Sequence, residues 1–303
     1  MRDSWRLSAG TFLAVPVRPP GTVDPTVAGR AMVLAPVTAL PIGAVWAALG
    51  LGAHHGFISP LLAGVLGLIG AALLSRAMHL DGLADLADGL TSGPRRTRAL
   101  EVMKKGDTGP AGAAALVLVL ALQAAALESL LDSAAGAVLA VTALVSSRLA
   151  PAVACRRGMP AARSGGLGAA VVGTVSRGAL LVAVAGVLLG GGVPLALLGT
   201  SPYAAGLVAG AALLGAWIVT RHAVHRLGGI TGDVIGATIE ISLAAALVAA
   251  SVCAAVVGPP RGDQLTTDQA SACSTRAMAS DSLADVSSAA AATSRQLAST
   301  VAR

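Results

Sequence analysis

Apolar residues in this chain gather into long unbroken runs instead of alternating with polar ones. Seven of these runs approach the roughly 20 residues that a helix needs to cross a hydrocarbon core. They lie at 31–53, 58–75, 111–131, 134–153, 178–199, 203–220 and 234–257. The pattern predicts an all-α, polytopic transmembrane helix bundle of about seven spans. The second and sixth runs are short enough to be tilted or partial spans. From Gly258 onward the composition shifts to Ser, Ala, Thr, Asp and Gln, which buries too little surface to offset chain ordering. Residues 1–257 are therefore expected to form one integral membrane domain, and 258–303 a disordered tail.

Composition sharpens this picture. Of 303 residues, 55% are hydrophobic and 12% charged, far more apolar than a soluble domain needs. Aromatics make up only 2% while glycines number 37, so the helices are expected to pack closely through small residues. The net charge of +6 could suggest a nucleic-acid partner. No basic stretch carries interleaved aromatics, however, so none is expected. The cations instead follow the spans. Arg2, Arg6, Arg18 and Arg30 precede the first run, and Arg76, Arg95, Arg96, Arg98, Lys104 and Lys105 follow the second. Arg148, Arg156, Arg157, Arg163 and Arg177 surround the end of the fourth, while Arg221 and Arg226 follow the sixth. The links at 54–57, 132–133 and 200–202 have no Lys or Arg. By the positive-inside rule this predicts a multi-pass protein of the cytoplasmic membrane with a cytoplasmic N-terminus and no cleaved leader. Cys155, Cys253 and Cys273 have no metal-binding or disulfide spacing and receive no role.

The most informative polar stretch follows the second run. In His79-Leu80-Asp81-Gly82-Leu83-Ala84-Asp85-Leu86-Ala87-Asp88-Gly89, the three aspartates are spaced i, i+4, i+7. On a helix their carboxylates project from one face within two turns. Such like charges repel unless a cation neutralises them, and hard oxygen ligands suit Mg²⁺. Asp81, Asp85 and Asp88 are accordingly candidate metal ligands, with a solvated, charged helix start as the plain alternative. Gly82 and Gly89 would let a large ligand approach the backbone. His79 could orient a carboxylate, bind phosphate or act as general base, or simply sit at the interface.

Two further stretches are expected at the same membrane face. The loop before the third run, with Lys104 and Lys105 ahead of Gly106-Asp107-Thr108-Gly109-Pro110, is able to hold phosphates. Positive-inside topology explains its cations equally well. Before the seventh run, Gly228-Gly229-Ile230-Thr231-Gly232-Asp233 is a glycine-rich turn that opens into a helix whose N-terminal amides attract phosphate. Asp233 and Glu240 lie i, i+7 there, which suits a second metal or base site, although Asp233 could serve only as the helix cap. Glu240, two turns into an apolar run, needs a partner. Arg148, late in the fourth run, could pair with such an acid or with a diphosphate, or snorkel to the interface.

At these residues the sequence resembles the cobalamin synthase family, also called adenosylcobinamide-GDP ribazoletransferase. The stretch HLDGLADLADG at 79–89 looks like one signature and LGGITGDVIGATIE at 227–240 like a second, within a similarity covering about residues 5–257. The resemblance implies an integral membrane, Mg²⁺-dependent enzyme. It would join α-ribazole, or its phosphate, to adenosylcobinamide-GDP and release GMP. Carried over residue by residue, it points to His79, Asp81, Asp85, Asp88 and the Thr231-Gly232-Asp233 turn. The site expected from all readings comprises His79, Asp81, Asp85 and Asp233 as catalytic groups, with Lys104, Lys105, Arg148, Gly229, Thr231, Gly232 and Glu240 binding substrate. Where many family members carry Asp-Ser soon after the Met and basic residue, Lys105-Gly106-Asp107 intervenes here, so Asp107 receives no role. A CDP-alcohol phosphotransferase shares Asp-x-x-Asp-Gly with Asp85 to Gly89, but Ser92-Gly93 replaces its next residues. An ion-coupled transporter would need its carboxylates near the bilayer midplane.

Overall fold

A computed structural model describes residues 1–257; the tail expected at 258–303 lies outside the described residues. Among the described residues fourteen helices run in the order α1 (Arg2–Phe12), α2 (Pro25–Val33), α3 (Ala35–Thr38), α4 (Leu40–His54), α5 (Pro60–Leu74), α6 (Met78–Thr91), α7 (Arg96–Lys105), α8 (Pro110–Glu128), α9 (Ala134–Ser147), α10 (Ala150–Ala154), α11 (Leu167–Val171), α12 (Arg177–Leu197), α13 (Tyr203–Leu227) and α14 (Gly232–Val257). The fold is the all-α bundle expected from the apolar runs.

Among the described residues five helical stretches are long and apolar enough to cross a membrane: α8, the stretch Ala134–Ala154 that joins α9 to α10, α12, α13 and α14. The first two of the seven expected spans differ. Pro36 and Pro41 remove backbone donors within the first run, so it breaks into the end of α2, α3 and a 15-residue α4. The second run forms α5, also 15 residues, or roughly 22 Å at the helical rise. These two shorter helices pack against each other, and the buried Trp46 Nε1 donates to the Gly67 carbonyl at 2.8 Å. Helix α5 passes the test for a span only together with α6, which is bent 90° from it. A helix at that angle does not continue the crossing. We read α6 as lying across one end of the bundle, outside the membrane-spanning segments.

Helix α14 is the central post and packs against α13, α6, α9 and α8. Its Val234, Ala237, Ile239, Leu243, Ala246, Leu247 and Ala250 are all buried. Small side chains on the facing helices keep the axes close, as the alanine- and glycine-rich composition predicts. The loops sort into two ends. At one, Arg96 Nη2 donates to the Ala162 carbonyl, Arg163 Nη2 to Leu100, and Arg226 Nη2 to Leu90 and Gly93. The three basic stretches thus meet one another. In contrast, His54 Nδ1 lies 3.1 Å from the Asp132 carbonyl oxygen, which brings together two of the links without Lys or Arg.

Candidate active site

The acidic helix is aimed by the corner that precedes it. Arg76 and Ala77 have φ of 55° and 53°, a left-handed conformation that non-glycine residues adopt only under constraint. The constraint comes from the N-terminal segment: Arg76 Nη2 donates to the Gly10 carbonyl at 2.6 Å, and the Ala14 amide donates to the Leu74 carbonyl at 2.6 Å. The chain therefore leaves α5 sideways and lays α6 across the start of α14.

Glycines let the two helices touch. A methyl group at Gly82 would stand 2.6 Å from the Asp233 carbonyl oxygen, and one at Gly236 would stand 3.2 Å from His79 Cα. This contact brings Asp81 and Asp85 of α6 to Asp233 of α14. The sequence reading held Gly82 and Gly89 open for a ligand, whereas protein fills those positions. Gly82 meets α14, and Gly89 receives Met103 of α7. Gly82→Ala is accordingly expected to cost about 1–3 kcal/mol through overpacking and to lower activity by displacing Asp233. Thermal unfolding and turnover measured on the same preparation check both effects.

The turn into α14 is capped by Thr231, not by Asp233. The Thr231 hydroxyl oxygen accepts from the Val234 amide at 3.2 Å and donates to Asp233 Oδ2 at 3.2 Å. Asp233 is thereby oriented and left facing a cleft of about 320 Å³. Met78, Asp81, Arg163, Gly165, Gly166 and Gly168 line this cleft together with Ala169, Ile230, Thr231, Gly232 and Asp233. Arg163 Nη1 stands 4.0 Å from Asp233 Oδ2. Asp85 lies one turn along α6 from Asp81. Burial, then the charges of Asp81, Asp233 and Asp88, push its carboxyl up to about 6, and Arg163 opposes the shift. Oxygen donors gathered in this way, with an excess of negative charge, have the chemistry that fits a hard divalent cation. Among the described residues no three His, Cys, Asp or Glu side chains form a ready cage.

The other sequence candidates lie elsewhere. Asp88 accepts from the Gly109 amide at 2.7 Å and the Gly112 amide at 2.8 Å, so its carboxylate caps α8. His79 is buried at 3% exposure on the side of α6 facing α14, with Nδ1 3.8 Å from Glu240 Oε1. Glu240 does not share the cleft with Asp233. Its Oε2 accepts from Gln123 Nε2 at 3.1 Å, and the buried Arg148 at the end of α9, whose Nη1 donates to the Ser147 hydroxyl at 2.8 Å, acts on its charge without a direct salt bridge. His79, Gln123, Arg148 and Glu240 thus make a polar core between helices, separate from the cleft. Gly229 is covered by protein, because the Ile230 amide donates to the Pro160 carbonyl at 2.9 Å and the Ala162 amide to the Ile230 carbonyl at 3.0 Å. Lys104 and Lys105 are exposed in the last turn of α7 and do not line the cleft.

Sequence reasoning missed Arg163, Gly165, Gly166 and Gly168 as cleft residues. The signal was present in Arg163-Ser164-Gly165-Gly166-Leu167-Gly168, a glycine-rich stretch directly behind a cation. Gln123 was also missed, although an amide inside an apolar run points to a buried partner.

Fold and site together define a polytopic α-helical membrane protein with a carboxylate-lined cleft at one end of its bundle. The chain belongs to the cobalamin-5-phosphate synthase family, whose profile matches residues 4–252. It is 43% identical over 244 residues to the adenosylcobinamide-GDP ribazoletransferase of Nocardioides sp., an alignment that covers 80% of this chain and 96% of the relative. The enzyme of the same name from Frankia casuarinae is 40% identical, covering 78% of this chain and 90% of the relative. That from Pseudomonas entomophila is 38% identical, with 75% and 90% covered. No solved structure matches the chain. The family is the one that residues 79–89 and 227–240 resemble.

Proposed function

We propose that this chain joins α-ribazole, or α-ribazole phosphate, to adenosylcobinamide-GDP in the cytoplasmic membrane, with its cleft and N-terminus on the cytoplasmic side. The observation that carries the reading is the meeting of Asp81 and Asp233, 152 positions apart in the chain, on one cleft. Asp81 and Asp233 would hold Mg²⁺ where they meet on the cleft, with Asp85 beside them and Asp88, as it caps α8, adding charge. When bound, Mg²⁺ neutralises the diphosphate of the activated corrinoid. A ribazole hydroxyl oxygen forms the new bond to the phosphorus carried by cobinamide. The bridging P–O bond breaks, and GMP leaves with the electron pair. The hydroxyl proton passes to an aspartate of the cluster, because His79 faces the polar core. Thr231 and Gly232 position the substrate at the α14 turn, and positioning with electrostatics supplies most of the acceleration.

Incubating the detergent-solubilised chain with adenosylcobinamide-GDP, α-ribazole and Mg²⁺ is expected to release GMP in proportion to joined product. Absence of GMP with either ribazole or its phosphate would refute the reading.

The raised carboxyl of Asp85 gives a pH dependence. With an ordinary value near 3.8 and a folded value of about 6, the proton is retained by the folded chain across that window. Without a cation, stability declines as pH rises from the lower value to the upper. Mg²⁺ bound beside Asp85 competes with this proton below about pH 6, so its apparent affinity is expected to fall there and to level off above. Mg²⁺-induced shifts in thermal unfolding, recorded across this pH range, check the sign.

A further inference from the structure

A diphosphate entering a cleft edged by carboxylates is repelled unless it meets positive charge in addition to a bound cation. The cations that the sequence offered for this purpose are placed elsewhere. Arg148 is 2% exposed and committed to Ser147 and the polar core. Lys104 and Lys105 do not line the cleft.

Arg163 has the required placement. Its Nη2 donates to the Leu100 carbonyl at 2.7 Å, which fixes the guanidinium to α7. Its Nη1 faces Asp233 at 4.0 Å, too far for a hydrogen bond. The guanidinium is therefore anchored at one nitrogen and turned toward the cleft, with a third of the side chain exposed. The wall beside it is bare backbone. A methyl group at Gly165 or Gly166 would meet nothing, and Gly166, at φ +88°, holds a conformation that suits only glycine. Gly168 is pressed to the α14 turn, where an added methyl would stand 3.0 Å from the Gly232 amide nitrogen. The loop thus closes the cleft against Thr231 and Gly232 without side-chain bulk, and phosphate oxygens can come close to the chain.

We propose that Arg163, anchored through Leu100, binds the diphosphate of the nucleotide-activated substrate across the cleft from Asp81 and Asp233. The inference rests on the proposed function and adds the group that takes the anion. A planar guanidinium offers two parallel donors to a phosphate, which an ammonium does not.

The test is titration of Mg²⁺·GDP into the full detergent-solubilised chain, with the KM for each substrate measured in parallel. Arg163→Ala is expected to weaken Mg²⁺·GDP by roughly tenfold to a hundredfold, the range for one charge-assisted contact. It should raise the KM for adenosylcobinamide-GDP and leave the KM for α-ribazole unchanged. Arg163→Lys should recover only part of the binding. If loss of the Leu100 contact prevents Arg163→Ala from folding, Arg163→Gln, which keeps a donor for that carbonyl and lacks the charge, should show the same weakening. Binding by Arg163→Gln within twofold of the unaltered chain would overturn the inference. So would an equal rise in both KM values, or no binding of Mg²⁺·GDP by the unaltered chain. GMP release by the unaltered chain together with unchanged binding by the variants would remove the role of Arg163 alone. Absence of GMP release would remove the functional reading.

Discussion

Asp81→Asn is expected to lower turnover by roughly 10²–10³-fold, the usual loss when one electrostatic contact to a reacting centre is removed. Asp81 is exposed on the cleft side of α6 and makes no hydrogen bond that supports the fold. Its replacement by the isosteric amide should therefore leave thermal stability nearly unchanged and move the Mg²⁺ requirement to higher concentration. Asp85→Asn should behave similarly in turnover, but with a gain in stability above pH 6, because it removes a charge that the fold disfavours. Steady-state rates over a Mg²⁺ series check both variants. Near-normal turnover with an unaltered Mg²⁺ dependence would exclude these carboxylates from the metal site.

Arg148→Met is expected to have the largest effect on stability. Arg148 and Glu240 are 2% and 6% exposed and feel each other's charge without a direct salt bridge, so removal of one buried charge leaves the other without compensation. The typical cost is about 3–5 kcal/mol. Adding Glu240→Gln to Arg148→Met should recover most of this loss, since the amide can still accept from Gln123 without carrying charge. The recovery separates an uncompensated charge from a simple packing defect, which the second substitution would not repair. Thermal unfolding in detergent, compared across the two single variants and the double variant, checks the expectation.

The helical class was legible in the sequence because the bilayer leaves little choice: long apolar runs must satisfy their backbone donors internally. The breaks were less legible. The first run reads as one span although it contains Pro36 and Pro41, and the corner at Ser75–Ala77 has no glycine or proline. It is held instead by Gly10 and Ala14 from the N-terminal segment, and contacts between remote segments leave no local pattern.

The site divides in the same way. Periodicity placed Asp81 and Asp85 on one face, and the basic loops placed the Asp233 turn at the same end. Periodicity could not separate cleft from core on either helix. His79 precedes Asp81 by two residues, which on a helix turns it to another side, and Glu240 lies two turns deeper than Asp233. Asp88 keeps the register of the other aspartates, yet it serves the amides of Gly109 and Gly112. Only the packing of α8 beside α6 reveals that assignment. Arg163 was hidden for a related reason. Its place depends on Leu100 and on the pairing of Ala161 with Ile230, contacts that join loops more than 60 positions apart.

The central claim, one divalent cation shared between α6 and α14, is tested most directly by electron paramagnetic resonance of Mn²⁺ added to the detergent-solubilised chain. The unaltered chain is expected to hold a single bound ion, with affinity lost in Asp81→Asn and equally in Asp233→Asn. Full binding retained by either variant would contradict a site built from the two stretches together.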